Sequence, residues 1–150
     1  MPLRIRPVRA TDYPDVARLS ERIDPEAART EAELREADLR RDARMMFGGM
    51  IAEVDGECAA FAIYKQYPRL YEPDKVVLSG GVEAEHRRSG VGRALLRSLE
   101  EQLWAAGVRR LQGTARPADR PIELTLRRSS GESLHVGDLR GRPTLLFVFA

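Results

Sequence analysis

Seven consecutive residues, Arg87-Arg88-Ser89-Gly90-Val91-Gly92-Arg93, bring three cations and two glycines to the point where an apolar strand pattern gives way to an amphipathic helix pattern. The first turn of a helix has N–H groups without intrahelical partners and carries the positive end of the helix dipole, so phosphate is favoured there. Gly90 and Gly92 remove Cβ atoms that would hold a pyrophosphate off the backbone, while Arg87, Arg88 and Arg93 add charge and donors around Ser89 and Val91. The chemistry this spacing suggests is diphosphate binding. The structural alternative is a glycine-containing turn flanked by solvated arginines.

The pattern narrows the ligand. A nucleotide-triphosphatase phosphate loop needs Gly-Lys-Ser/Thr, and no Lys follows either glycine. A dinucleotide fingerprint needs a third glycine or alanine in the helix and a second mononucleotide half, but Gly90-Val91-Gly92-Arg93-Ala94 runs into Leu95 and no such half follows. What remains is Arg-x-x-Gly-x-Gly, from Arg87 to Gly92. Together with Val82-Glu83-Ala84-Glu85-His86 before it, this segment resembles the coenzyme A signature of the GNAT superfamily of acyl-CoA-dependent N-acyltransferases.

The flanking elements agree with that placement. Leu3 and Ile5 alternate with Arg4 and Arg6 as a strand; Thr11 or Asp12 is expected to cap a helix carrying Val16, Leu19 and Ile23. Thr30 and Glu33 form a capping-box pair that opens a second, highly charged helix through Arg41. Its thin apolar face, Leu34 and Ala37 with Leu39 nearby, suggests a lid over a cleft. Apolar runs Met50 to Val54 and Cys58 to Tyr64, joined by Asp55-Gly56, read as a hairpin. Val76 to Val82 is a strand whose Gly80-Gly81 pair marks a bulge or a close backbone approach. A helix from Val91 to about Ala106 buries Val91, Leu95, Leu99 and Leu103 and stops at Gly107, and Val108 to Thr114 is a further strand.

This order, from Leu3 to Pro117, is that of the GNAT fold, an α/β (α+β) domain with a mixed, mostly antiparallel central sheet flanked by helices. Ile51 to Gly56 also resembles the superfamily's central hairpin, and Tyr67 to Lys75 is similar to a loop in members carrying two such domains. The resemblance implies acetyl-CoA as acyl donor and a primary amine, on a small molecule or peptide, as acceptor by direct attack. It places pantetheine on the backbone of Gly80, Gly81 and Val82, and the pyrophosphate on residues 88–93. Family members that use a Glu on the strand after the cradle helix would carry it near Thr114, but no Glu lies between Gln102 and Arg120, and no Tyr follows Tyr71. Glu83 is the candidate base and Tyr71 the candidate acid. Both also read as ordinary solvated or structural residues beside a turn.

The last third departs from this pattern. Ile122, Leu124 and Leu126 alternate as a strand, Ser129 to Glu132 form a turn, and Leu145 to Phe149 is a final apolar run. Residues 121–150 resemble the opening of a thioredoxin-like or peroxiredoxin domain, ending before the position of that family's reactive cysteine. The expected division is an acyltransferase core over 1–117, without its usual last helix and strands, and a redoxin-like β segment over 118–150 packed on it. The apolar Leu145 to Phe149 run is expected to pair with or pack against the sheet. Alternatives to a working enzyme are a non-catalytic acyl-CoA-binding protein or fusion remnant, and a redoxin-like fragment without redox activity.

Composition bounds the rest. A chain of 150 residues suits one core, and 43% hydrophobic with 32% charged residues is ordinary for a globular protein. Cys58 is the lone cysteine and His86 and His135 the only histidines, so neither an internal disulfide nor a metal site is expected. The net charge of +2 and arginine pairs scattered among acids argue against nucleic-acid binding. Without a long apolar run, a cytoplasmic protein with no membrane partner is expected, and a homodimer is compatible with the sequence.

Overall fold

The computed structural model describes residues 2–114 and, beyond them, Thr125–Arg127, Ser133–His135 and Leu145–Phe149. The chain runs β1 (Leu3–Pro7), α1 (Tyr13–Ile23), α2 (Glu31–Arg40), β2 (Phe47–Val54), β3 (Glu57–Lys65), β4 (Lys75–Val82), α3 (Val91–Ala105), β5 (Arg110–Thr114), β6 (Thr125–Arg127), β7 (Ser133–His135) and β8 (Leu145–Phe149). One six-stranded sheet has the order β1-β2-β3-β4-β5-β8, and β6 pairs with β7 separately. Every neighbouring pair in the large sheet is antiparallel except β4–β5, which is parallel because α3 carries the chain back across the sheet. This is the expected mixed, mostly antiparallel sheet with helices on its faces.

Strand alternation divides the side chains between two layers. Met50, Ala52, Val54, Ala60, Tyr64 and Val76 face α3, whose stripe of Val91, Leu95, Leu99 and Leu103 is buried to 4% exposure or less. Burying each of these aliphatic side chains contributes about 1.5–3 kcal/mol relative to leaving it in water. Ile51, Cys58 and Phe61 face the opposite way, against Tyr13, Val16 and Leu19 of α1 and Leu34 of α2. The capping box at the start of α2 forms as expected: Glu33 N–H donates to Thr30 Oγ1 at 3.2 Å and Thr30 N–H to Glu33 Oε2 at 2.8 Å. Leu34 is the buried residue of α2 and Leu39 is 87% exposed, so this helix is held to the body by little apolar surface.

One expectation changes. Asp12 does not cap α1 with its side chain; its carboxylate accepts from Arg9 N–H at 2.7 Å and from the Arg6 guanidinium at 2.8 and 2.9 Å, and Arg6 also bonds Glu53 at 2.7 Å. A three-membered ion network between β1, β2 and the start of α1 thus replaces a cap. Arg6 holds Asp12 below its usual 3.8. The tail follows its expectation. β8 pairs antiparallel with β5 from Arg110–Phe149 to Thr114–Leu145, so this strand continues the sheet as the apolar run suggested. The expected strand at Ile122 and Leu124, the turn at 129–132 and the 117/118 boundary lie outside the described residues.

A depressed carboxyl pKa stabilises the fold above the unfolded value and is lost as pH falls through the folded value. Asp12→Asn keeps an acceptor for Arg9 N–H but removes the charge facing Arg6. It is expected to cost about 1.5–3 kcal/mol at neutral pH and to flatten the acid limb of urea-midpoint against pH below 3.8. Ending the chain after residue 144 strips β5 of a neighbour along its whole length. Calorimetry is expected to show a lower thermal midpoint for that truncation, and light scattering more aggregation.

Candidate functional site

The site begins with a strand that outruns its neighbour. β4 pairs with β5 from Lys75–Arg110 to Leu78–Gly113, and Ser79 to Val82 continue with no ladder on that side among the described residues. On the other side β3 supports them, with Ala62 opposite Gly80, Phe61 opposite Gly81 and Ala60 opposite Val82. Gly80 has φ +150°, and a Cβ there would lie 2.1 Å from the Phe61 carbonyl oxygen. The glycine pair therefore marks a close backbone approach, whereas the bulge falls on β3 at Ala59, whose carbonyl accepts Glu83 N–H at 2.9 Å.

The closed end of this fork is clamped. The Asp74 carbonyl accepts the N–H groups of Arg109 and Arg110 at 2.7 and 2.9 Å, and the Arg110 guanidinium bonds the Asp74 and Glu72 carboxylates. Lys75 and Arg110 hold Glu72 below the ordinary carboxylate range, and Arg110 does the same to Asp74. The buried Gln66 amide donates toward the carbonyls of Glu72, Pro73 and Lys75 at 3.3 Å and accepts Met46 N–H at 2.8 Å. The loop that carries Tyr71 is thereby anchored at its far end.

The arginine-glycine segment follows β4 directly. Arg87 Nε donates to the Val82 carbonyl at 3.0 Å and Ser89 Oγ donates to the His86 carbonyl, so these two residues shape the turn from within. Arg88 and Gly90 both have positive φ, +63° and +87°, and the first α-helical bond of α3 runs from Ala94 N–H to the Gly90 carbonyl. The N–H groups of Val91, Gly92 and Arg93 have no intrahelical acceptor, and the Arg88 and Arg93 side chains are exposed. An anion fits this geometry. The reason given for Gly92 changes: a Cβ there would sit 3.0 Å from Val82 Cγ2, so Gly92 lets α3 approach β4, while a Cβ on Gly90 would point into open space.

A cleft of about 440 Å³ opens on the α1–α2 face of the sheet and reaches Gly80. Its sheet wall is made by Phe61, Ile63 and Lys65 of β3, alternate residues and hence one face, and by Val77 to Gly80 of β4. Tyr13, Ser20 and Asp24 line it from α1 and its C-cap, and Leu34 and Ala37 from α2, in keeping with the expected lid. Neither Glu83 nor Tyr71 belongs to the lining. Glu83 stands past the end of β4 with its carboxylate on Arg22 of α1, and Tyr71 is half exposed. Cys58 is buried against α1 and burial pushes its thiol up to about 11, so it is uncharged near neutrality.

Sequence reasoning anticipated α2 beside a cleft but missed the part of the wall made by α1 and the α1–α2 connection. The alternation of Phe61, Ile63 and Lys65 was a usable signal for the sheet wall, but Asp24 and Arg29 sit on a connection whose course no periodicity reveals. Among the described residues, no group of three His, Cys, Asp or Glu is placed to hold a metal, and no helix is long and apolar enough to cross a membrane.

The profile of the acetyltransferase (GNAT) family matches residues 10–123. No curated protein matches the sequence. Among solved structures, the ribosomal-protein-S18-alanine N-acetyltransferase from Escherichia coli superposes with a TM-score of 0.61 at 20% identity over 88% of each chain. A GNAT family acetyltransferase from Brucella melitensis, solved in complex with acetyl-CoA, gives 0.59 at 23% identity over 77% of each chain. Ard1 from Thermoplasma volcanium gives 0.64 at 16% identity over 89% of this chain and 93% of that one. The redoxin likeness of the tail finds no support in these comparisons: the family match runs past residue 117, and β8 lies in the same sheet as β1 to β5. With that match over most of its length and the sheet order to go with it, the chain belongs to the acetyltransferase (GNAT) family.

Proposed function

We propose that the protein is an N-acyltransferase that uses acetyl-CoA and delivers the acetyl group to a primary amine by direct attack. The observation that carries this reading is the adjacency of three features: the anion-fitting turn at Arg88–Gly90, the edge of Ser79–Val82 that has no ladder partner among the described residues, and a cleft that reaches the same strand at Gly80. The pyrophosphate is assigned to the N–H groups at the start of α3 with Arg88 and Arg93. The pantetheine arm is assigned to the edge of β4 at Gly80, Gly81 and Val82 that faces away from β3, where backbone N–H groups can also donate to the thioester carbonyl as negative charge develops on its oxygen. Arg87 and Ser89 position the turn, since their polar atoms already bond the Val82 and His86 carbonyls.

Attack needs a neutral amine and therefore a proton acceptor on the acceptor's side. Asp24 is the carboxylate among the described cleft-lining residues, and we assign it that role through water. Glu83, paired with Arg22, ties the end of β4 to α1. The buried, uncharged Cys58 is unsuited to a covalent route, which agrees with direct attack.

Arg88 separates binding from folding because its backbone is strained. Arg88→Gly relieves a left-handed non-glycine residue, a cost of about 1–2 kcal/mol, while removing a charged donor. Calorimetric affinity for acetyl-CoA is expected to fall about tenfold or more with thermal stability unchanged or raised. Gly90→Ala is expected to weaken binding as well. Unaltered affinity in a folded Arg88→Gly protein would remove the diphosphate assignment. Asp24→Asn is expected to lower kcat by about a hundredfold or more at unchanged acetyl-CoA affinity, and Glu83→Gln to lower it far less; the reverse order in a thiol-release assay would return the base to Glu83.

A further inference from the structure

We propose that the acceptor amine carries a carboxylate, received in the cleft by Lys65 and Arg29; this rests on the acyl transfer proposed above and names its substrate class. Charge favours such an acceptor. An amine substrate arrives as an ammonium ion, yet the described cleft lining holds two cationic residues, Arg29 and Lys65, against one carboxylate, Asp24. Two cations among the described lining residues offer a simple alkylammonium little attraction and an acceptor that brings its own anion a partner.

Position supports the same assignment. Along the sheet wall Phe61 stands opposite Gly81, at the reacting end, and Lys65 opposite Val77. The four steps from Phe61 to Lys65 span about 13 Å of strand. Between them lies the apolar side chain of Ile63, so the wall is hydrophobic along its length and ends in an ammonium. Lys65 Nζ lies 4.8 Å from the centroid of the Tyr67 ring, which also lines the cleft; this contact orients the ammonium without neutralising it. Arg29 enters from the opposite wall on the α1–α2 connection, where its N–H donates to Ser20 Oγ at 3.2 Å and Ser20 Oγ in turn donates to the Ala17 carbonyl at 3.0 Å. The cleft volume of about 440 Å³ suits a small amino acid with an extended chain.

The test uses the full chain. Acetyl-CoA binding is measured first by calorimetry, and thiol release is then followed with glycine, β-alanine, 4-aminobutyrate, 6-aminohexanoate and the standard amino acids. Each is set beside its amide and the amine lacking the carboxylate. The best carboxylate-bearing acceptor is expected to exceed both partners in kcat/KM by about tenfold or more, chiefly through KM. Lys65→Glu is expected to invert that preference, Lys65→Met to abolish most of it, and Lys65→Arg to keep it. Equal or better use of amides and bare amines by the unaltered protein, a preference untouched by Lys65→Glu and Lys65→Met, or no turnover of any acceptor while acetyl-CoA binds, overturns the carboxylate subsite alone. Failure to bind acetyl-CoA overturns the acyl-transfer reading, and the subsite with it.

Discussion

The parallel pairing of β4 with β5 ends at Leu78–Gly113, and the rest of the site depends on that parting. A parallel neighbour needs a crossover, and here the crossover is α3, whose first turn is drawn against the end of β4 because Gly92 leaves room for Val82. β4 must then extend four residues beyond its partner to reach the helix start. The same geometry places side by side a helix N-terminus and a backbone edge that has no ladder partner among the described residues. Either alone is common; together they offer one extended ligand both a strand to lie along and a positive end for its phosphates.

Keeping a fork open requires its closed end to be stiff. Arg110 joins the start of β5 to Asp74 and Glu72, and Gln66 gathers the carbonyls of the β3–β4 loop, so the two strands begin in register before they part. β8 covers the outer edge of β5, which would otherwise be exposed to pairing with another chain. On the opposite face α2 is held to the body by Leu34 and by Arg35 over the Tyr13 ring of α1, while Glu31–Arg35 and Glu36–Arg40 lie within the helix and contribute a few tenths of a kcal/mol each to its own stability. The molecule thus pairs a rigid donor side, built on α3 and the sheet, with an acceptor side built on its least tightly packed helix.

Function follows from the difference between the two sides. In the proposed acyl transfer, the donor side is made of backbone groups and glycines suited to a diphosphate and an amide-rich arm. The proposed acceptor side is made of side chains, Lys65 and Asp24 among them, to which the choice of amine is assigned. This division lets one scaffold keep its donor while its acceptor varies.

Local physics made much of this legible in the sequence. The Asp55-Gly56 hairpin, the Thr30–Glu33 capping box, the α3 stripe from Val91 to Leu103 and its stop at Gly107 each depend on residues a few positions apart, and all appear where their spacing puts them. The turn at Arg87 to Arg93 was readable for the same reason. Long-range choices were not. That Asp12 would turn to Arg6, which also bonds Glu53, instead of capping α1, that Gly92 would face Val82, and that Glu83 would pair with Arg22 outside the cleft all depend on partners brought together by the sheet. The sequence by itself determined the elements and the anion-fitting turn, because backbone conformation and periodicity are local. The tertiary structure alone decided which charges share the cleft, because Asp24, Arg29 and Lys65 become neighbours of Gly80 only when α1 and its connection pack across β3 and β4.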